Sequence, residues 1–232
     1  HQHQIDVTNA VWKDERKEPR EARLSGSFSV HDLNTFYFDL HVQSQDLLCL
    51  KTQEWDNDLF YGYMPAALQM DIKGYLDDIA LDINARPLKG AQFYMPIHSS
   101  GDASSYEYIS FVQLGKPRTT SHTYHGSNYF KMNLNLDATP DAEVHIILDK
   151  NTREEIVAKG NGNINLSVDM GNSMNIYGTY TITEGKYEFN FRGVLPRTFV
   201  IDDGSKIVWN GDPFQAKLDV NATYKLPKAQ AL

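Results

Sequence analysis

Eight histidines and thirty acidic residues are the side chains with which this chain could hold a metal or move a proton. His122 and His125 stand three apart, and His1 and His3 two apart. Three-residue spacing brings imidazoles together on a helix. Gly115–Asn128, however, carries Pro117, Thr119, Thr120 and Ser121 and reads as a long mobile loop. No cysteine or neighbouring carboxylate completes a zinc set there. His31, His41 and His145 fall in strand-like segments, the last two on the polar phase, and read as outward residues. Asp77-Asp78, Asp202-Asp203 and Asp56-Asn57-Asp58 lack the spaced oxygen ligands of a calcium loop. They read as turn chemistry. Cys49, within Leu47-Leu48-Cys49-Leu50, reads as a small buried hydrophobe. No nucleophile elbow, Walker loop or dinucleotide fingerprint is present. Asn165-Leu166-Ser167 and Asn221-Ala222-Thr223 fit the glycosylation pattern, a triplet that alternating strands produce by chance. These residues predict no catalytic group, no metal site and no cofactor, hence no enzyme.

The bulk properties narrow the class. A net charge of -8 disfavours nucleic acid, whose phosphates need a basic stripe. Thirteen Tyr and eleven Phe favour strands. No run of 18 apolar residues is present to span a membrane. The chain begins at His1 and is strand-like by Ile5-Asp6-Val7, which suggests a piece of a longer protein. Any export signal or anchor would then lie upstream.

The elements that must position these residues show period-two alternation. Phe36, Phe38, Leu40 and Val42 share one face, and Tyr37, Asp39, His41 and Gln43 the other. The apolar phase returns at Leu68-Met70-Ile72, Leu81-Ile83-Ala85, Met132-Leu134-Leu136, Val144-Ile146-Leu148 and Ile164-Leu166-Val168. It continues at Met174-Ile176, Tyr187-Phe189-Phe191 and Leu218-Val220-Ala222-Tyr224. Turns are predicted at Lys73-Gly74, Lys159-Gly160-Asn161-Gly162, Met170-Gly171-Asn172 and Glu184-Gly185-Lys186. Gly178–Phe189 reads as a hairpin, Glu15–Arg23 as an exposed charged loop, and Tyr106–Leu114 as the best short helix. The whole predicts one all-β domain over residues 1–232, a meander of antiparallel hairpins, with 115–128 its mobile loop. Alternation alone describes a closed β-sandwich as well as an open groove.

The C-terminal third carries a longer pattern. Phe199, Ile201, Gly204-Ser205, Ile207, Trp209, Gly211-Asp212-Pro213, Leu218-Asp219-Val220, Ala222 and Tyr224 stand in order. They follow Gly178, Tyr180, Ile182, Gly185, Tyr187 and Phe189. This arrangement resembles the C-terminal domain of the TamB family, in a version like those of Bacteroidetes. Asp56-Asn57-Asp58-Leu59-Phe60-Tyr61-Gly62 extends the resemblance upstream more loosely. Phe214-Gln215 departs from it, where relatives often carry a second proline.

The resemblance implies a β-taco, a long antiparallel sheet folded so that its apolar face lines a groove. It implies an inner-membrane-anchored protein of the periplasm and cell envelope. Its partners would be phospholipid acyl chains, carried between inner and outer membranes, and an outer-membrane barrel like TamA. The expected groove lining is Leu68, Met70, Ile72, Leu81, Ile83, Met132, Leu134, Leu136, Val144, Ile146, Leu148, Ile164, Leu166 and Val168. Gly204, Ser205, Ile207, Trp209, Gly211, Asp212 and Pro213 are expected to form a structural corner, with Trp209 packed inward. A scaffold for inserting outer-membrane proteins is the alternative function, and a carbohydrate-binding or adhesion module a lower one.

Overall fold

Alternating residues became strands of unusual length. The computed structural model describes residues 3–32, 35–56, 60–96, 129–149, 152–169, 173–191 and 195–224. The chain runs β1 (His3–Lys13), β2 (Glu21–Asp32), β3 (Thr35–Thr52), β4 (Tyr61–Tyr75), β5 (Asp78–Pro87) and β6 (Ala91–Pro96). It continues through β7 (Tyr129–Ala138), β8 (Ala142–Asp149), β9 (Glu154–Asp169) and β10 (Ser173–Phe191). The last strands are β11 (Leu195–Ile201), β12 (Lys206–Gly211), β13 (Lys217–Asp219) and β14 (Ala222–Tyr224), with a 3-10 turn at Pro213–Gln215. All fourteen described strands belong to one hydrogen-bonded sheet, so the protein is all-β.

The order of pairing follows the chain, with one reversal of sense. β1 to β5 pair as antiparallel neighbours, and so do β7, β9 and β10. β5 and β7, however, run parallel, as do β6 and β8 beside them. The expected all-antiparallel meander is therefore two meanders joined at a parallel seam. Side-chain alternation carries no strand direction, so the pattern was blind to this.

Breaks in neighbouring strands line up. β5 passes to β6 at residues 88–90, β7 to β8 at 139–141, β11 to β12 at 202–205, and β13 to β14 at 220–221. The strands between stay continuous but slip register at the same level. β10 carries one extra residue between Ile182 and Glu184, and β3 one between Ser44 and Leu47. Backbone bonds tie the breaks together. Gly90 N donates to Asp141 O (3.3 Å), Ile182 N to Ser205 O (2.8 Å), and Asp202 N to Asn221 O (2.8 Å). Bulges bend and twist a strand. Aligned across the sheet they form one crease running perpendicular to the strands.

The crease explains several predicted turns that are not turns. Lys159–Gly162 lies inside β9, and Glu184-Gly185-Lys186 inside β10, so Gly178–Phe189 is one bulged strand and not a hairpin. Lys73-Gly74 lies inside β4, and the chain reverses at Leu76-Asp77. The charged loop ends sooner than expected, with Glu21–Arg23 already in β2. It is also tied down: the side chain of Asp14 is 3% exposed and accepts hydrogen bonds from Arg16, from Arg20 N (3.1 Å) and from Leu48 N (3.1 Å). Arg16 reaches on to Asp46 in the β3 bulge (2.8 Å). Cys49 is exposed, not buried, because it is a second bulged residue between Leu48 and Leu50. Residues 106–114, 115–128 and 170–172, where a helix, a mobile loop and a turn were expected, lie outside the described residues.

Candidate functional site

Strand pairing sets which side chains share a face, because directly paired residues point the same way. Ile72, Leu81, Met132, Val168 and Met174 form one row across β4, β5, β7, β9 and β10. Met70, Ile83, Leu134, Leu166 and Ile176 form the next. Leu68, Ala85, Leu136, Ile164, Gly178 and Trp209 form the third. Beyond the crease, Phe93, Val144, Ala158, Gly185 and Ile201 make a fourth row on this face. Met95, Ile146, Ile156, Tyr187, Phe199 and Tyr224 make a fifth. Leu148 packs on the same cluster as Ile146. The face extends through Val42, Leu24 and Leu40 to β2 and β3.

The depth of these residues varies in a telling way. Leu68 (7%) and Ile146 (6%) are buried, while Leu81, Ile83, Met132, Leu134, Leu136, Ile164, Leu166 and Val168 are all half-buried. Closed clusters stand at either end. One gathers Ala22, Val42, Leu47 and Leu68, the other Ala138, Ile146, Ala158, Tyr180, Ile182, Ile201 and Ile207. The second draws on strands from both sides of the crease. Ile182 there is 0% exposed, which a single flat layer does not achieve unless its flanks close over the fold line. Between the clusters the greasy face is wetter and more open.

The opposite face is polar and ordered. Asn165 donates to Asn135 (2.8 Å) and Asn135 to Asn84 (3.1 Å); Ser167 donates to Asn133 (3.2 Å) and Asn133 to Asp82 (3.0 Å). Arg86 pairs with Asp137. Three of these links, Asn135 to Asn84, Asn133 to Asp82 and Arg86 to Asp137, cross the parallel seam and stitch it from outside. His41 bonds Asp71 (2.8 Å). His145 is not an ordinary outward residue: it lies between Glu143 (2.9 Å) and Glu155 (3.3 Å) and stacks on Tyr94 at 4.2 Å.

The C-terminal pattern sits where the crease crosses the last strands. Gly204, with φ +87°, turns the chain between β11 and β12, and its N–H donates to Ile182 O (2.9 Å). Ser205 is 4% exposed, and its Oγ accepts from Asn221 N (3.2 Å). Ile207 is buried, and Trp209 is half-buried against the same cluster. Gly211 closes β12, Asp212 accepts from Gln215 Nε2 (3.0 Å), and Pro213 opens the 3-10 turn.

Two features escaped the sequence reading. The crease is tiled with small residues on the apolar phase, and Tyr180, quoted only as a motif residue, is buried at its end. The signal for both was alanine or glycine recurring where the alternation calls for a large side chain. The described residues contain no group of three His, Cys, Asp or Glu placed to share a metal ion.

A single sheet with one continuous apolar face and a polar face behind it defines an all-β, one-sheet protein. The TamB C-terminal domain model matches residues 13–231, and the chain belongs to that family of cell-envelope proteins. Comparison with curated proteins and with solved structures finds no significant match.

Proposed function

We propose that this chain shields lipid acyl chains in its creased apolar face, as part of phospholipid movement between the inner and outer membranes. The observation that carries this reading is the half-buried stretch between the two closed clusters, centred on Leu134 and Leu166. In a finished core such residues would be covered; here they remain available to a hydrocarbon partner. Each methylene kept from water contributes about 0.8 kcal/mol, so a sixteen-carbon chain needs on the order of 10 kcal/mol of shelter. Rows of Leu, Ile, Val and Met supply it without a shaped pocket, and a partner held only by dispersion slides freely. In the full protein we place this trough in the periplasm, between an inner-membrane anchor and a TamA-like barrel.

Native mass spectrometry of the purified chain should find phospholipid bound, and delipidation should expose a face that binds a hydrophobic dye. A chain that purifies bare and refuses added phospholipid would sink the reading. One observation favours a second role, in assembling outer-membrane proteins. The eleven residues of β1 are hydrogen-bonded on one side only, to β2, among the described residues, and an open edge of that length can template another strand.

A further inference from the structure

A concavity of about 780 Å³ crosses six strands, from Gln45 on β3 to Tyr177 on β10. Its walls are two adjacent rows of the polar face. One row is Gln69, Asn84, Asn135, Asn165 and Tyr177; the other includes Arg86, Asp137 and Asn163. The apolar residues at this level, Ile83, Leu134 and Leu166 among them, take no part in its lining. It therefore opens on the side away from the proposed lipid shelter. The wall side chains are exposed or half-buried, so a ligand can reach them. They carry no net charge, because Arg86 is paired with Asp137 across the seam. Asn165, Asn135 and Asn84 form an amide ladder whose bonds all run one way. A carboxamide has two N–H donors and an accepting carbonyl, so the ladder has unspent ends. Among the described residues Asn84 keeps both amide hydrogens and Asn165 its carbonyl, and the amide of Gln69, paired with Asn84, bonds nothing. Tyr177, 45% exposed, ends the row. Its hydroxyl is 3.9 Å from where a Cβ on Gly211 would be, so the ring leans over β12 and leaves exposed area for stacking.

We propose that this concavity binds a neutral, extended glycan, its hydroxyl and acetamido groups bonded to the Asn ladder and one sugar ring stacked on Tyr177. An anion would find no free cation there, since Arg86 is held by Asp137. An acyl chain would meet carboxamides where it needs hydrocarbon. A peptide strand would need an open edge, and the strands that cross this site are paired on both sides. Sugar hydroxyls donate and accept at once, and so do the ladder amides. Neighbouring strands stand about 4.8 Å apart, so six strands offer roughly 24 Å of such groups. That is room for several sugar rings in a row. An acetamido group can also prolong the ladder, its carbonyl accepting from Asn84 or its N–H donating to Asn165.

Chitohexaose and cellohexaose share an extended, β-linked backbone and differ in the acetamido group. Each is titrated calorimetrically into the purified chain. Wild-type protein should bind at least one, with an affinity that added salt leaves unchanged, since no charge is involved. Tighter binding of chitohexaose names acetamido sugars as the ligand class; equal or weaker binding restricts recognition to the hydroxyls. Tyr177→Ala should weaken binding about three- to tenfold, the scale of one aromatic contact. Asn135→Ala should do so by about the same factor, through one lost carboxamide. Both residues are exposed, so the melting temperature should barely move. If Asn135→Ala does lose stability, Tyr177→Ala, which breaks no ladder bond, decides the matter alone. In wild-type protein the side-chain amide signals of Asn84, Asn135 and Asn165 should shift on titration, while that of Asn190, beyond the crease, stays still. Wild-type protein that binds neither hexaose overturns the site. Affinity indifferent to the variants, binding that fades in high salt, or amide shifts spread evenly over the face would do the same. The lipid reading concerns the other face and stands or falls on its own test.

Discussion

Asp14 shows how one carboxylate disciplines a loop. The Arg16 guanidinium, helped by the N–H groups of Arg20 and Leu48, holds its carboxyl well below the usual carboxylate range. A carboxyl depressed in the native state stabilises it above the unfolded value, near 4, and that stability fades as pH falls through the native one. Acid unfolding of the wild type should therefore show a contribution, beginning below about pH 4, that Asp14→Asn lacks. At neutral pH Asp14→Asn leaves Arg16 only Asp46, and should cost about 3 kcal/mol in urea unfolding. Trp209 differs, being half-buried. Trp209→Ala should cost about 2–3 kcal/mol, less than the about 3–5 of a fully buried aromatic. A melting temperature that stays put while envelope function disappears would make Trp209 a contact residue.

Strands were legible and their limits were not, for one physical reason. Gly160, Gly162 and Gly185 have the composition of turns but stand in mid-strand, where a crease needs missing side chains. Within β10 the apolar phase runs Gly178, Tyr180, Ile182, then slips to Gly185, Tyr187, Phe189. A one-residue slip in an alternating pattern looks like a hairpin, and the bulge that caused it has no residue signature of its own. The large residues of the apolar face could be read because their phase repeats; the small residues along the crease could not, since alanine also suits an ordinary strand. Two glycines separate the meanings. At Gly178, φ is +130° and a Cβ would sit 2.2 Å from Asn163 O; at Gly204, φ is +87° and the space is open. Gly204→Ala should cost about 1–2 kcal/mol, the backbone penalty alone. Gly178→Ala should cost clearly more, because the ladder itself must move. Equal costs in parallel urea melts would refute this account of the strand.

At the scale of the molecule, the two faces should differ in what they tolerate. If the half-open stretch shelters lipid as proposed, Leu134→Arg or Leu166→Arg in the full-length protein puts a charge where an acyl chain must displace it. Either should abolish envelope function with only a modest drop in melting temperature. Thr179→Arg, exposed on the polar face, should be silent in both assays. Ile146 is too deep for this test, since a charge there would unfold the fragment. The parallel seam has a further consequence, in time. Residues 3–96 form one meander of largely local contacts, and 129–224 another. β5 meets β7 only after the chain between them closes a long loop, and non-local pairing of that kind is slow. Refolding should show two phases, with the hairpin amides of each half protected first. The amides of Leu81, Ile83, Met132 and Leu134 should be protected last in pulse-labelled hydrogen exchange. Until the seam zips, β5 and β7 each present a bare strand edge beside apolar side chains, a surface that invites association with a second unfinished copy. Slow refolding yield should therefore fall with protein concentration, while the fast phase is indifferent to it.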